Sequence, residues 1–263
     1  MPVLSFDLRE RVIAITGAAG QLGRQYQSAV RSAGGRVLAI DLKPSKSDDA
    51  GTLWVDADIT NRSALENAMT QCQKTFGAAP YGLINNAGID SPPDAPAMEN
   101  GPFETFPQAS LERVLEVNVT GAVLCTQVFG SAMVENGGGS IINIGSTYGL
   151  VSPDQRLYEH RRRKGEQFFK PVAYSISKSA LVNFTRYAAT YWGARGVRVN
   201  TLTLGGVYND QDVEFVSAYC NRVPLGRMAK VDEYNGAILF LLSDLSSYMT
   251  GANLVVDGGW TAW

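Results

Sequence analysis

The chain has 263 residues, 45% of them hydrophobic and 18% charged, with a net charge of −2. That is the make-up of an ordinary soluble globular protein long enough to bury a substantial core. So small a charge offers no electrostatic footing for nucleic acid or an acidic membrane surface, and no apolar run approaches the ~20 residues of a membrane span.

Arg11 to Thr16 (RVIAIT) reads as a short buried strand, followed by the glycine-rich run Thr16-Gly-Ala-Ala-Gly-Gln-Leu-Gly23. A helical stretch from about Leu22 to Ser32 stops at Gly34-Gly35, where glycine suits a helix C-terminus. Arg36 to Asp41 is a second strand, Leu53 to Asp58 a third and Gly82 to Asn85 a fourth. Between the last two, Asn61 is placed to cap a helix running to about Phe76, because its side-chain oxygen can accept an N–H of the first turn. Residues 90–109, rich in Pro, Asp and Gly, read as a loop. A long helix is expected over Ser110 to Val134, a strand over Ser140 to Gly145 and a helix over Val172 to Ala194. Strands over Val197 to Leu204 and Leu254 to Val256 complete the series.

This alternation predicts an α/β fold with a parallel sheet covered by helices on both faces. No linker divides the chain and no repeat is evident. Residues 1–263 are therefore expected to form a single domain, a doubly wound sheet of the Rossmann type. Cys72, Cys125 and Cys220 form no CxxC pair, and the N-terminus lacks a charged-then-apolar leader. Reduced thiols and a cytoplasmic location are the expectation.

The glycine loop sits between a strand and a helix, as a dinucleotide-binding loop must. There Gly17 permits the tight turn, Gly20 lets backbone approach a pyrophosphate, and Gly23 lets the helix pack close to the strand. The helix start then aims free N–H groups at phosphate. Asp41 lies 18 positions beyond Gly23 (41 − 23), close to the ~20 at which an acid meets the adenosine ribose hydroxyls. A carboxylate there repels a 2′-phosphate and favours NAD, while nearby Arg24 and Lys43 leave NADP open.

Tyr174 and Lys178 are four positions apart in Tyr174-Ser-Ile-Ser-Lys178, and on a helix they share a face. The lysine ammonium can then sit below the phenol and lower its pKa from about 10. Such a phenol can pass a proton to or from a substrate oxygen near neutral pH. With the nucleotide loop, the pair points to hydride transfer. No His, Cys or carboxylate cluster has metal-ligand spacing.

From Leu8 to Trp260 the chain resembles the short-chain dehydrogenase/reductase family, on several motifs in order. Asp58-Ile59-Thr60 is similar to its adenine-contacting segment, Asn85-Asn86-Ala87-Gly88 to its NNAG motif, and Tyr174/Lys178 to its YxxxK. Asn118 matches the family's helix asparagine, and Ser146, after Ile-Ile-Asn-Ile-Gly, its catalytic serine. The resemblance implies Asn118, Ser146, Tyr174 and Lys178 as the catalytic set. Asn118 would hold a water next to Lys178, and Lys178 would also bind the nicotinamide ribose. The implied cofactor contacts are Gly17, Gly20, Gln21, Leu22, Gly23, Asp41, Asp58, Ile59, Asn85, Ala87, Gly88, Tyr174, Lys178, Gly206, Val207 and Asn209. It also implies a homo-oligomer, a tetramer or dimer.

The chain departs from the family pattern in three places. The glycine loop reads TGxxGxxG, the spacing of longer members. Asn200 is followed by Leu204-Gly205-Gly206 without the usual proline, and Asn209 stands where a threonine contacts the nicotinamide amide. Ser146 and Tyr174 are 28 residues apart (174 − 146), far more than is usual. The extra stretch, at about 152–171, carries Arg156, Arg161, Arg162, Arg163, Lys164 and Lys170.

A subgroup with such an insert and a Trp-Thr-Ala-Trp terminus is similar to oxidoreductases of bacterial surface-sugar biosynthesis, acting on nonulosonate and lipopolysaccharide sugars. The insert reads either as a lid whose arginines meet a carboxylate or phosphate or as a solvated charged loop. Arg156, Tyr158 and Arg161 are the candidate substrate contacts, and His160 reads as an exposed loop residue in preference to a further substrate contact. Trp260 and Trp263 need burial, against a neighbouring subunit in one reading.

The expectation is an NAD-dependent oxidoreductase exchanging hydride with a secondary alcohol or ketone on a small polar molecule, an anionic sugar or sugar acid. Nucleic acid and membranes are not expected partners. The alternatives are a 3-oxoacyl or other lipid-carbonyl reductase, whose lid would be apolar, and a dinucleotide sensor without chemistry, which would not need the four catalytic residues.

Overall fold

The computed structural model describes residues 5–43, 49–90 and 97–263; part of the expected loop over 90–109, residues 91–96, lies outside them. β1 (Val12–Thr16), α1 (Gln21–Ser32) and β2 (Arg36–Asp41) form the first crossover, and β3 (Thr52–Asp56), α2 (Arg62–Phe76) and β4 (Gly82–Asn85) the second. Asn61 caps α2 as its side chain predicts, accepting the Ala64 N–H at 3.2 Å. A long helix follows, α3 (Gln108–Leu115) passing through a π-helical turn at Glu116–Gly121 into α4 (Ala122–Glu135). It leads to β5 (Gly139–Ser146). The insert holds the short α5 (Glu159–Arg163), and α6 (Val172–Trp192) leads to β6 (Val197–Leu204). Two helices of 8 residues, α7 (Val213–Cys220) and α8 (Asn235–Leu242), precede β7 (Asn253–Val256).

Among the described residues the strands pair in the order β3-β2-β1-β4-β5-β6-β7, every pair parallel. Strand side chains alternate between faces, and here both faces are dry. Val12 and Ala14 join a core with Leu65, Phe129 and Trp192, while Ile13 and Ile15 join another with Tyr26, Val30 and Ile238. That is why β1 is apolar at every position rather than at every second one. Strand order reverses between β1 and β4, and such a switch point opens a crevice at the carboxyl ends of the strands. The glycine loop after β1 and the Asn85–Gly88 segment flank that crevice.

The helix Gln108–Glu135 is 28 residues long and, by length and composition alone, apolar enough to cross a membrane. The sequence expectation had no run near that length. Half of its most apolar stretch is buried, with Cys125, Phe129 and Met133 inside the first core, as suits a core helix. A third apolar cluster joins Leu157 and Tyr158 of the insert to Tyr219, Val223, Met228 and Trp260. Trp260 thus finds its burial within its own chain, stacked on Tyr219 at 4.4 Å between ring centroids. Trp263 stays exposed, its indole N–H donating to the Arg222 carbonyl at 3.2 Å.

Candidate active site

Ser146 ends β5 and Tyr174 lies in the first turn of α6, so the insert that separates them in sequence leaves and returns at one place. Both line a cavity of about 620 Å³, a size suited to a small-molecule site. The Ser146 hydroxyl hydrogen-bonds to the Tyr174 phenol and accepts the Tyr148 N–H at 3.2 Å. Lys178 is buried one turn further along α6, and Gly149 packs directly on its backbone.

Lys178 shares the helix face with the phenol, as its spacing predicts, and is anchored there by the backbone. Its Nζ donates to the Ile144 carbonyl at 2.8 Å and lies 5.7 Å from the Tyr174 ring centroid. Burial pushes its pKa down to about 8, with Asp90 opposing, so near neutral pH its positive charge is only weakly held. Burial pushes the Tyr174 phenol up and Asp90 adds to that; the Ser146 hydrogen bond pulls it back. The serine hydrogen bond thus favours the phenolate.

Asn118 sits in the π-helical turn, a distortion common at functional sites. Its Oδ1 accepts the Ile89 N–H at 2.8 Å, and its Nδ2 donates to the Ile89 carbonyl at 2.8 Å and to Ser177 Oγ at 3.0 Å. Ser177 in turn donates to the Tyr174 carbonyl at 2.7 Å. Asn118 therefore ties the loop after β4 to the start of α6. A Cβ at Gly88 would stand 3.2 Å from Asn118 Oδ1 and 3.6 Å from Lys178 Nζ, so glycine keeps the space between those two atoms open.

The crevice fits a dinucleotide. Gly17 has φ +63°, and a Cβ on Gly23 would meet the Gly17 carbonyl oxygen at 2.3 Å. No side chain of the described residues caps α1 at Gly20, which leaves first-turn N–H groups for a phosphate. The Asp41 carboxylate accepts the Ala19 N–H at 2.9 Å and the Lys43 N–H at 3.1 Å, fixing an acid at the end of β2. Gln21 donates to the Tyr208 carbonyl at 3.2 Å, joining the loop to the segment after β6. Leu22, Gly88, Gly206 and Val207 line the cavity with Tyr174 and Lys178. Gly17, Gly20, Leu22, Gly23 and Asp41 would hold such a cofactor at its phosphates and adenosine ribose.

Other expected contacts have partners within the protein. Asn85 donates to Asn143 at 2.8 Å and Thr126 at 3.0 Å inside the core. Ile59 is buried against Gly121, and Asp58 accepts the Thr60 N–H at 2.9 Å. Asn209 bonds through its N–H to Gln211. The family motif marks a stretch of backbone, and the structure shows which side chains within it face inward. Asn86 is one that the sequence reading passed over: it lines the cavity and donates to the Thr16 and Gly17 carbonyls at 3.0 and 3.1 Å.

The insert is a roof rather than a free charged loop. Tyr158 packs between Phe168 and Phe215, at 5.1 and 5.4 Å between centroids, so the roof rests on α7. Tyr158 and Arg161 line the cavity as expected. Arg156 does not: its side chain is 78% exposed and paired with Asp154. His160 corrects the expectation of an exposed loop residue, being 12% exposed with Nδ1 3.1 Å from the Leu157 carbonyl and Nε2 3.6 Å from Asp212. Arg161 pairs with Glu166, Arg163 with Glu159, Lys164 with Glu214 and Lys170 with Asp90. Arg162 donates to the Phe168 and Gln155 carbonyls. Asp90, Tyr148, Lys170, Phe215 and Tyr219 complete the wall. No sequence motif marked them, because their place depends on how the insert folds back.

The family profile described as enoyl-(acyl carrier protein) reductase matches residues 17–261. The chain belongs to the short-chain dehydrogenase/reductase family. It is 32% identical to 2-(S)-hydroxypropyl-CoM dehydrogenase 3 of Xanthobacter autotrophicus over 278 residues, covering 98% of this chain and 100% of that one. It is 33% identical to galactitol 2-dehydrogenase (L-tagatose-forming) of Cereibacter sphaeroides over 272 residues, covering 98% of each. A short-chain dehydrogenase from Leptospira borgpetersenii, solved with bound NAD+, superimposes with a TM-score of 0.87 at 32% identity, covering 99% of this chain and 97% of that one. As a short-chain dehydrogenase/reductase the chain is an oxidoreductase of CH–OH groups that uses a nicotinamide dinucleotide.

Proposed function

We propose that the chain is an NAD-dependent dehydrogenase or reductase of a small, polyhydroxylated secondary alcohol or its ketone. The carrying observation is that Ser146 and Tyr174, brought together at the foot of the insert, open on the same cavity as Leu22 and Gly88 of the dinucleotide crevice. In oxidation Tyr174 takes the alcohol proton, and in reduction it returns it. Ser146 holds the same substrate oxygen near the phenol. Lys178, buried and held by the Ile144 carbonyl, stands ready for the ribose, and Asn118 fixes the loop that borders it. When bound, the nicotinamide supplies the hydride acceptor or donor. Asp41 supports NAD over NADP, since its fixed carboxylate opposes a 2′-phosphate.

The substrate reading is narrower in charge than the sequence expectation. An anionic sugar acid would need Arg161, Lys170 or His160 to leave Glu166, Asp90 or Asp212. Phenols of Tyr148, Tyr158 and Tyr219 in the same wall suit neutral hydroxyl groups. They also disfavour a lipid-carbonyl substrate, for which an apolar wall is better. Galactitol 2-dehydrogenase acts, by its name, on a neutral polyol, which supports this class over the surface-sugar subgroup. A cytoplasmic homo-oligomer is part of the proposal. The stacked rings of Tyr187 and Tyr191, exposed on α6 at 66% and 61%, support subunit packing.

The test is a panel of polyols, sugars and sugar acids assayed with NAD and NADP. NAD-dependent oxidation of a neutral polyol is expected. Turnover of sugar acids alone would replace the substrate class, and NAD binding without any turnover would favour a sensor.

A further inference from the structure

Tyr174 has a lysine four positions to each side, Lys170 before it and Lys178 after it. Lys178 is turned to the Ile144 carbonyl. Lys170, at the end of the insert, has its ammonium 5.1 Å from the Tyr174 ring centroid, nearer than the 5.7 Å of Lys178. It forms an ion pair with Asp90, two residues beyond Gly88, and its side chain is 14% exposed. Gln155 brackets its backbone, accepting the Lys170 N–H at 2.8 Å and donating to the Lys170 carbonyl at 3.2 Å. Pro171 then sits at the N-cap of α6. A solvated loop lysine would have neither the bracket nor so little exposure.

We propose that Lys170 and Asp90 are positioning residues for Tyr174, a charge pair that sets the pH range over which the phenol gives up its proton. This rests on the reading of Tyr174 as the acid–base group. The groups facing the phenol come from four segments. These are Lys178 from its own helix, Ser146 and Tyr148 from the end of β5 and the turn after it, Asp90 from the loop after β4, and Lys170 from the insert. His160, Arg161 and Asp212 line the same cavity with partners of their own.

An anion beside a forming phenolate opposes it, and a cation favours it. Asp90 does oppose the phenolate of Tyr174, and Lys170 stands where it can offset that. Asp90 has one oxygen on Lys170; the other, Oδ1, is buried without a hydrogen-bond partner among the described residues. Removing Lys170 would therefore leave an uncompensated carboxylate at the phenol, and removing Asp90 an uncompensated ammonium. The two losses act in opposite directions, which a merely structural pair does not predict. The pair also explains why the insert must return to the site: it delivers Lys170 to the loop after β4.

The test is the pH dependence of kcat/KM for NAD-dependent oxidation of galactitol, or of whichever secondary alcohol the wild type turns over. Wild type, Asp90→Asn, Lys170→Met, the double variant and Lys170→Arg are compared. The acid limb should move about one pH unit down in Asp90→Asn and about one unit up in Lys170→Met. It should return toward wild type in the double variant and stay with wild type in Lys170→Arg. Profiles that superimpose, or single variants that shift in the same direction, overturn the proposal. Should Lys170→Met not fold, Asp90→Asn alone decides by its direction.

Ultraviolet difference titration against Tyr174→Phe in each background reads the same ordering without a substrate. The Tyr174 increment should begin at lower pH in Asp90→Asn than in wild type, and an equal or higher onset overturns the proposal. A wild type that oxidises no alcohol counts against the acid–base reading of Tyr174 instead, so the two failures are distinguishable.

Discussion

Lys178 donates to the Ile144 carbonyl at 2.8 Å and so holds a buried ammonium against the end of β5 rather than against the Tyr174 phenol. This geometry costs stability. The folded pKa, about 8, lies below the ordinary 10.5. The penalty is therefore complete below about pH 8, fades as pH rises toward 10.5 and is absent above it. Lys178→Met should raise stability at pH 7 by about 2 kcal/mol, after allowing for the lost hydrogen bond. Denaturant unfolding at pH 7 and pH 10 checks this: the gain should shrink at the higher pH. The same variant should lose most activity, a stability–function trade-off at a buried charge.

Asp41, the proposed ribose acid, also supports the glycine loop through the Ala19 N–H. Asp41→Ala should weaken NAD binding and reduce the preference for NAD over NADP by about tenfold, the loss of one charge-assisted contact. Titration calorimetry with both cofactors measures the ratio. An unchanged ratio would remove Asp41 as the discriminator.

Gly23 has no room for a side chain, since a Cβ would lie 2.3 Å from the Gly17 carbonyl oxygen and 2.8 Å from Ala18 Cα. Both neighbours are backbone, so α1 must shift away from the loop. Gly23→Ala should destabilise by about 1–3 kcal/mol and abolish measurable dinucleotide binding. Thermal unfolding with and without NAD shows both effects, the second as a vanished ligand-induced rise in Tm.

Arg162 holds the insert closed on itself through the Phe168 and Gln155 carbonyls, at 2.9 and 2.8 Å. Arg162→Ala should loosen the roof, raise KM for the substrate several-fold and leave NAD affinity unchanged. Limited proteolysis should then cut first within residues 155–168. A wild-type cleavage pattern would show that the aromatic packing on α7 suffices.

Much of this was legible in the sequence because it is periodic or fixed in spacing. The strands Arg36–Asp41, Gly82–Asn85 and Val197–Leu204 were read to the residue, since apolar runs bounded by glycine or acid have few other folds. Ser146 and Tyr174 share one cavity wall with the dinucleotide crevice because one ends a strand and the other opens a helix. The short helices α7 and α8 escaped notice, as 8 residues span little more than two turns and carry little periodic signal. The π-helical turn at Asn118 was also invisible, because one extra residue in a turn leaves no compositional mark. Charge was the least readable property. Six basic residues in the insert suggested an anion site, yet three of them pair with acids of the insert itself, and Lys170 and Lys164 with Asp90 and Glu214 far away in sequence. The direction taken by Lys178 is likewise a matter of which carbonyl lies within reach.

The central claim is that Tyr174 exchanges the proton while the dinucleotide crevice works independently of it. Single-turnover kinetics and NAD titration of Tyr174→Phe, with the polyol that the wild type oxidises, test both halves at once. The expected result is a fall in the chemical step of at least about 100-fold with NAD affinity unchanged. A variant that retains turnover within a few-fold of wild type would contradict the account, whatever its NAD affinity.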